Sequence, residues 1–157
     1  MGDKSLPLLE ASFDWVRQAA PSQAVTAGLW NYSNAFAHIN DTLVKSSDII
    51  SFHTYGALSD LQRILDSLAT HNRPIICTEW MARWTGSRID IHLPVLKERG
   101  VPCYSWGLVN GRTQTNIGWD TIRSQYDTTE WFHDLFYSDG TPYKPEEIEV
   151  IRRLTSA

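Results

Sequence analysis

The chain has 157 residues, 42% hydrophobic and 20% charged, enough to bury one sizeable core and too apolar for a disordered tail. We read residues 1–157 as a single domain. A net charge of −4 with no basic run excludes an electrostatic nucleic-acid binder. No stretch suits a bilayer span and the N-terminus carries no apolar signal region, which argues against a membrane partner and points toward a cytoplasmic location.

In chain order, Leu9, Phe13, Val16 and Ala20 form a helical stripe. Ala24–Trp30 follows as a short apolar strand. Asp48–Tyr55 is a second strand, followed by the strongest helical stripe, Leu58, Leu61, Ile64, Leu65 and Leu68. Ser59 with Gln62 offers a capping box there. Pro74–Trp80 is a third strand. Ile89, Leu93 and Leu96 define the next helix, with Gly100 suited to its C-terminal cap and Pro94 expected to kink it or delay its start. Val101–Leu108 is a fourth strand. Pro145, Glu146 and Glu147 open a last helix carrying Ile148, Ile151 and Leu154.

The strand starts lie about 25 residues apart, the length of one strand, one helix and two loops. The order α(βα)4 calls for a parallel sheet, either open and doubly wound or part of a barrel. No glycine-rich phosphate loop follows any strand, which disfavours a nucleotide site. The five His and two Cys show no metal-ligand spacing, so neither metal nor cofactor is expected. Cys77 and Cys103 fall in apolar runs and read as reduced core thiols, with a disulfide between them as the alternative.

The chemically interesting residues cluster at the ends of these strands. Glu79 closes the apolar run 74–80. A carboxylate there must be solvated, paired or functional, and its options are a nucleophile, an acid/base, or a partner for Arg83. His53 and Tyr55 are two apart at the end of 48–55, so they share a face and can donate hydrogen bonds to a carboxylate on the next strand. The alternative is a core His and a core Tyr. Trp106, beside Gly107, can present its indole to a flat apolar ligand such as a sugar ring. Trp30 and Trp80 are placed similarly, and the chain carries seven Trp and six Tyr.

Taken together, these segments resemble the C-terminal half of clan A-type retaining glycoside hydrolases, cellulase-like and xylanase-like (β/α)8 barrels. Four stretches carry the likeness: Pro21–Trp30, Ser47–Tyr55, Arg73–Arg83, and Pro102–Thr115 with Gly118-Trp119-Asp120. Glu130–Asp134 and Asp139–Tyr143 extend it. The resemblance implies a parallel half (β/α)8 barrel of four βα units. It implies that Glu79 is the nucleophile, that His53 and Tyr55 orient it, and that Trp106 contacts carbohydrate; Trp30 and Trp80, from their place at strand ends, are the further expected carbohydrate contacts.

One departure limits that expectation. Such barrels carry an Asn-Glu pair on the fourth strand, whose Glu is the acid/base, and no Asn-Glu dipeptide occurs here. Retaining hydrolysis needs two carboxyl groups about 5–5.5 Å apart. The expected activity is therefore weak or nil for the chain alone, with a non-catalytic carbohydrate-binding or purely structural role as the alternative. Half a barrel also leaves two open edges, so we expect a homodimer that closes an eight-stranded barrel.

Overall fold

The computed structural model describes residues 2–156 and shows a mixed α/β chain built on a three-stranded parallel sheet. The strands are β1 (Ile50–Thr54), β2 (Ile75–Trp80) and β3 (Cys103–Ser105), hydrogen-bonded in chain order. Parallel neighbours need long crossovers. These are supplied by α3 (Leu58–Ala69) between β1 and β2, and by α4 (Ile89–Glu98) between β2 and β3. Helix α1 (Leu6–Gln18) and α2 (Ala37–Ser46) precede the sheet; a short α5 (Asp120–Arg123) and α6 (Pro145–Thr155) follow it.

The stretch expected as the first strand, Ala24–Trp30, is extended but bridges β1 at one point only, Leu29 against Phe52. Three backbone hydrogen bonds hold it: Leu29 N–H to Ser51 O at 2.9 Å, His53 N–H to Leu29 O at 2.7 Å, and Asp48 N–H to Val25 O at 2.8 Å. Asp48 reinforces its start. Its carboxylate accepts from the Val25 N–H at 2.7 Å and takes a bidentate pair from Arg17 at 2.8 and 2.9 Å. The Arg17 hydrogen bonds, followed by that of Val25, hold the Asp48 carboxyl below its ordinary range.

Amphipathic spacing accounts for the helices. In α3, Leu61, Ile64, Leu65 and Leu68 fall at i, i+3, i+4 and i+7 and are all buried. They pack with Ile50, Phe52, Cys77 and Trp80 in one core. The capping box at Ser59 is not formed: the helix starts at Leu58 with Ala57 as N-cap, which leaves Ser59 inside the first turn. Helix α4 accommodates Pro94 within its length. It ends as Gly100 suggests, with φ +64°, Gly100 N–H to Lys97 O at 3.1 Å and Val101 N–H to Leu96 O at 2.9 Å, a Schellman closure. Helix α1 stops at Gln18, so Ala20 lies beyond it with φ +50°. Val16 and Trp15 are exposed.

The C-terminal segment is tied back to the sheet by a buried ion pair. Arg83 donates to Glu147 of α6 through Nε at 2.9 Å and Nη2 at 2.6 Å. It also donates to the carbonyls of Trp131 at 3.0 Å and Asp134 at 3.1 Å, and lies over the Tyr143 ring. Among the described residues, no helix is long and apolar enough to cross a membrane.

Candidate functional site

The C-terminal ends of β1 and β2 bring His53, Tyr55 and Glu79 together. Tyr55 Oη donates to Glu79 Oε2 at 2.9 Å. His53 Nδ1 lies 3.4 Å from the same oxygen, in ion-pair range. Both His53 and Glu79 are largely covered, with side chains 22% and 28% exposed. Burial first, then the hydrogen bond to Glu79, pushes the Tyr55 phenol above its ordinary value, so it stays a proton donor.

A β-bulge makes this grouping possible. Strict alternation would put Glu79 on the face of Cys77, which is wholly buried among the helices. Instead Phe52 pairs with Cys77 and His53 with Glu79, so β2 carries the extra residue Thr78 opposite no partner. The bulge turns Glu79 onto the face of His53, and bulges commonly re-aim side chains in this way. Trp80 then falls on the opposite face. It is 1% exposed and stacks on His92 of α4 at 6.0 Å. Expected to contact a ligand, Trp80 is core instead. Nor does Arg83 pair with Glu79, since Glu147 holds it.

A cavity of about 560 Å³ opens in front of the three residues. Trp30 stands at its edge, 60% exposed and edge-on to Phe36 at 5.2 Å. Asp60 and Arg63 of α3 line it as an ion pair at 3.2 Å. Trp106 follows β3, held by its N–H to Trp80 O at 2.8 Å, and is half-exposed outside this cavity. Gly107 serves the backbone there: its φ is +80°, and a Cβ would sit 2.7 Å from that of His133.

Several contributors escape the sequence reading. Trp119, the N-cap of α5, lines the cavity and meets the Tyr55 ring edge-on at 5.3 Å. Tyr32 also lines it, and its hydroxyl donates to the His53 carbonyl at 3.2 Å. Gly28 leaves room for the His53 imidazole, since a Cβ there would lie 2.6 Å from Nε2. The Gly118-Trp119 dipeptide was a signal available for the first. Gly28, a glycine inside an extended run, was the signal for the last.

Both cysteines are free thiols, Cys77 buried and Cys103 half-buried, on adjacent strands. Burial is the main cause that raises each thiol above its ordinary value. Among the described residues, no group of three or more His, Cys, Asp and Glu is placed to hold a metal ion. The arrangement thus offers one carboxylate oriented by a phenol and an imidazole, in a mouth flanked by aromatic rings. No protein-family model matches the chain, and no curated protein is significantly similar to it.

Proposed function

We propose that this chain is a glycoside hydrolase-like half barrel whose Glu79 is built as the nucleophile of a retaining reaction on a β-linked polysaccharide. The observation that carries the reading is Tyr55 Oη on Glu79 Oε2 at 2.9 Å, with His53 beside it. A nucleophilic carboxylate must stay ionised and aimed, which such donors favour. Trp30 and Trp119 provide flat apolar surfaces where a sugar ring would stack. Sequential strand order suits an arc of a barrel, whose chemistry lies at the strand C-terminal ends.

The second carboxyl group is the weak point of turnover. Besides Glu79, the only carboxylate lining the cavity among the described residues is Asp60, which is engaged by Arg63. We therefore expect little hydrolysis of substrates whose leaving group needs a proton. That same observation favours a second reading, carbohydrate binding without turnover.

A second copy of the chain is the proposed means of closing the arc. Exposed apolar residues border each open edge: Leu8 and Val16 line grooves between α1 and the 25–28 segment, while Tyr104, Trp106 and Leu108 lie on and beyond β3. Counting the 24–30 segment, two-fold pairing of these unlike edges gives eight parallel strands. Sedimentation equilibrium at micromolar concentration should return a dimer; a stable monomer refutes closure.

The nucleophile can be tested without the missing acid. An activated 2-deoxy-2-fluoro-β-glycoside with a dinitrophenolate leaving group needs no proton donor. Attack by Glu79 Oε2 on the anomeric carbon forms the glycosyl ester and expels dinitrophenolate. Intact-mass and peptide analysis should place one sugar on Glu79, and Glu79→Gln should abolish labelling. An unlabelled chain that still binds oligosaccharide by calorimetry supports the binding reading instead.

A further inference from the structure

We infer that His133, acting on the left-handed peptide at Met81, is a positioning residue that holds Glu79 against Tyr55. The inference rests on Glu79 being the working carboxylate, but its geometry is independent of any substrate. Met81 lies two residues after Glu79, is wholly buried, and has φ +79°. A long side chain rarely adopts that conformation, which persists only where the surroundings over-determine it.

Those surroundings are specific. The Met81 N–H donates to Ser87 Oγ at 3.2 Å, and the Met81 carbonyl accepts from His133 Nδ1–H. The neighbouring peptide is fixed as well, with Ala82 N–H to Ser87 O at 2.9 Å and Arg83 N–H to Phe132 O at 3.0 Å. His133 is itself confined. It is 3% exposed, and its Cβ abuts Gly107, where any side chain would collide.

The same imidazole also touches the other partner of the Glu79 hydrogen bond. Its ring lies 5.6 Å from that of Tyr55 and 6.1 Å from that of Trp119. One side chain thus braces the backbone beyond Glu79 and the phenol that donates to Glu79. If the brace is lost, β2 can relax past its end, and the Tyr55–Glu79 distance is the quantity that changes.

Three variants separate this role from plain packing. His133→Phe keeps a ring and loses the donor; His133→Asn keeps a donor near Nδ1 and loses the ring; Met81→Gly adopts the left-handed peptide without strain and leaves His133 in place. The readouts are the maximal rate and half-saturation of fluoroglycoside labelling, the 13C carboxyl resonance of Glu79, and Tm. The resonance is assigned by its loss in Glu79→Gln, and Tyr55→Phe shows how it moves when the phenol is absent.

His133→Phe, measured folded and well below its Tm, should lower the maximal labelling rate about tenfold or more with half-saturation unchanged, as misplacement of a reacting group does. It should move the Glu79 resonance in the direction that Tyr55→Phe does. His133→Asn should label within about threefold of the parent. Met81→Gly, with the brace intact and the strain removed, should label within about threefold of the parent. A folded His133→Phe with parental labelling and an unmoved resonance overturns the inference. If His133→Phe does not fold, His133→Leu, which also removes the donor, is read in its place, and a parental rate and resonance there overturn it. If the parent is never labelled, the nucleophile reading fails, and the resonance alone decides the brace: moved supports it, unmoved refutes it.

Discussion

Replacing Arg83 by methionine would leave the Glu147 carboxylate, 3% exposed, in the interior without its partner. Arg83 makes two charge-assisted bonds to Glu147 and two more to the carbonyls of Trp131 and Asp134. Breaking a buried pair by removing one partner costs about 3–5 kcal/mol. For a chain of this size each kcal/mol shifts Tm by about 2–4 °C, so Arg83→Met should lower Tm by roughly 6–20 °C. Arg83→Met with Glu147→Leu removes the stranded charge and should recover about half of the loss. It still orphans two carbonyls, at about 1–3 kcal/mol for each one left without a donor. Thermal and urea unfolding followed by circular dichroism would measure all three chains. A double variant no more stable than Arg83→Met, or a single variant within about 1 kcal/mol of the parent, would refute this account of the pair.

Two further outcomes follow from the site. Gly28→Ala places a methyl 2.6 Å from His53 Nε2, so the imidazole must shift; labelling of Glu79 should slow about tenfold, and a parental rate would show that His53 does not matter. Stability should fall on acidification. Burial, against opposing hydrogen bonds and nearby carboxylates, holds His92 and His133 below the ordinary histidine value of 6.5. Below that pH the unfolded chain binds protons that the folded chain refuses, so stability is lost as pH falls from about 6.5 toward the folded values, by at most about 1.4 kcal/mol per pH unit per site. His92 shows why. Its Nδ1 accepts from the Arg88 N–H at 3.3 Å while Nε2 faces the Gly56 carbonyl at 3.1 Å, a neutral tautomer that a second proton would disrupt. Urea midpoints between pH 7.5 and 5 that stay flat would contradict this.

Helices α3 and α4 were legible because each repeats apolar residues at helical spacing, and Gly100 marks a C-terminal closure that only a left-handed residue makes easily. The segment 24–30 reads as a strand because its composition is that of one. Its pairing is set by what lies on its outer side, which local sequence does not encode. The same holds for Arg83. Its partner Glu147 is 64 residues away, so Glu79, four residues away, was the more obvious candidate.

The placement of Trp80 was more nearly within reach. Adjacent residues of a strand face opposite ways, so Glu79 and Trp80 could not both look into one mouth. What alternation could not supply is which of the two faces the mouth. Counted from Cys77, period two sends Glu79 into the core and Trp80 outward, with His53 and Tyr55 left facing an indole. The unpaired Thr78 reverses that assignment in a single step. The functional meaning of Glu79 therefore depends on Thr78 standing unpaired in β2. Deleting Thr78 should restore regular pairing with Glu79 still opposite His53 and Trp80 still opposite Thr54, because Glu79 then follows Cys77 directly and alternates away from it. A folded variant that is still labelled at Glu79 is the expected result, whereas a folded variant with Trp80 exposed and no labelling would refute this account of the register.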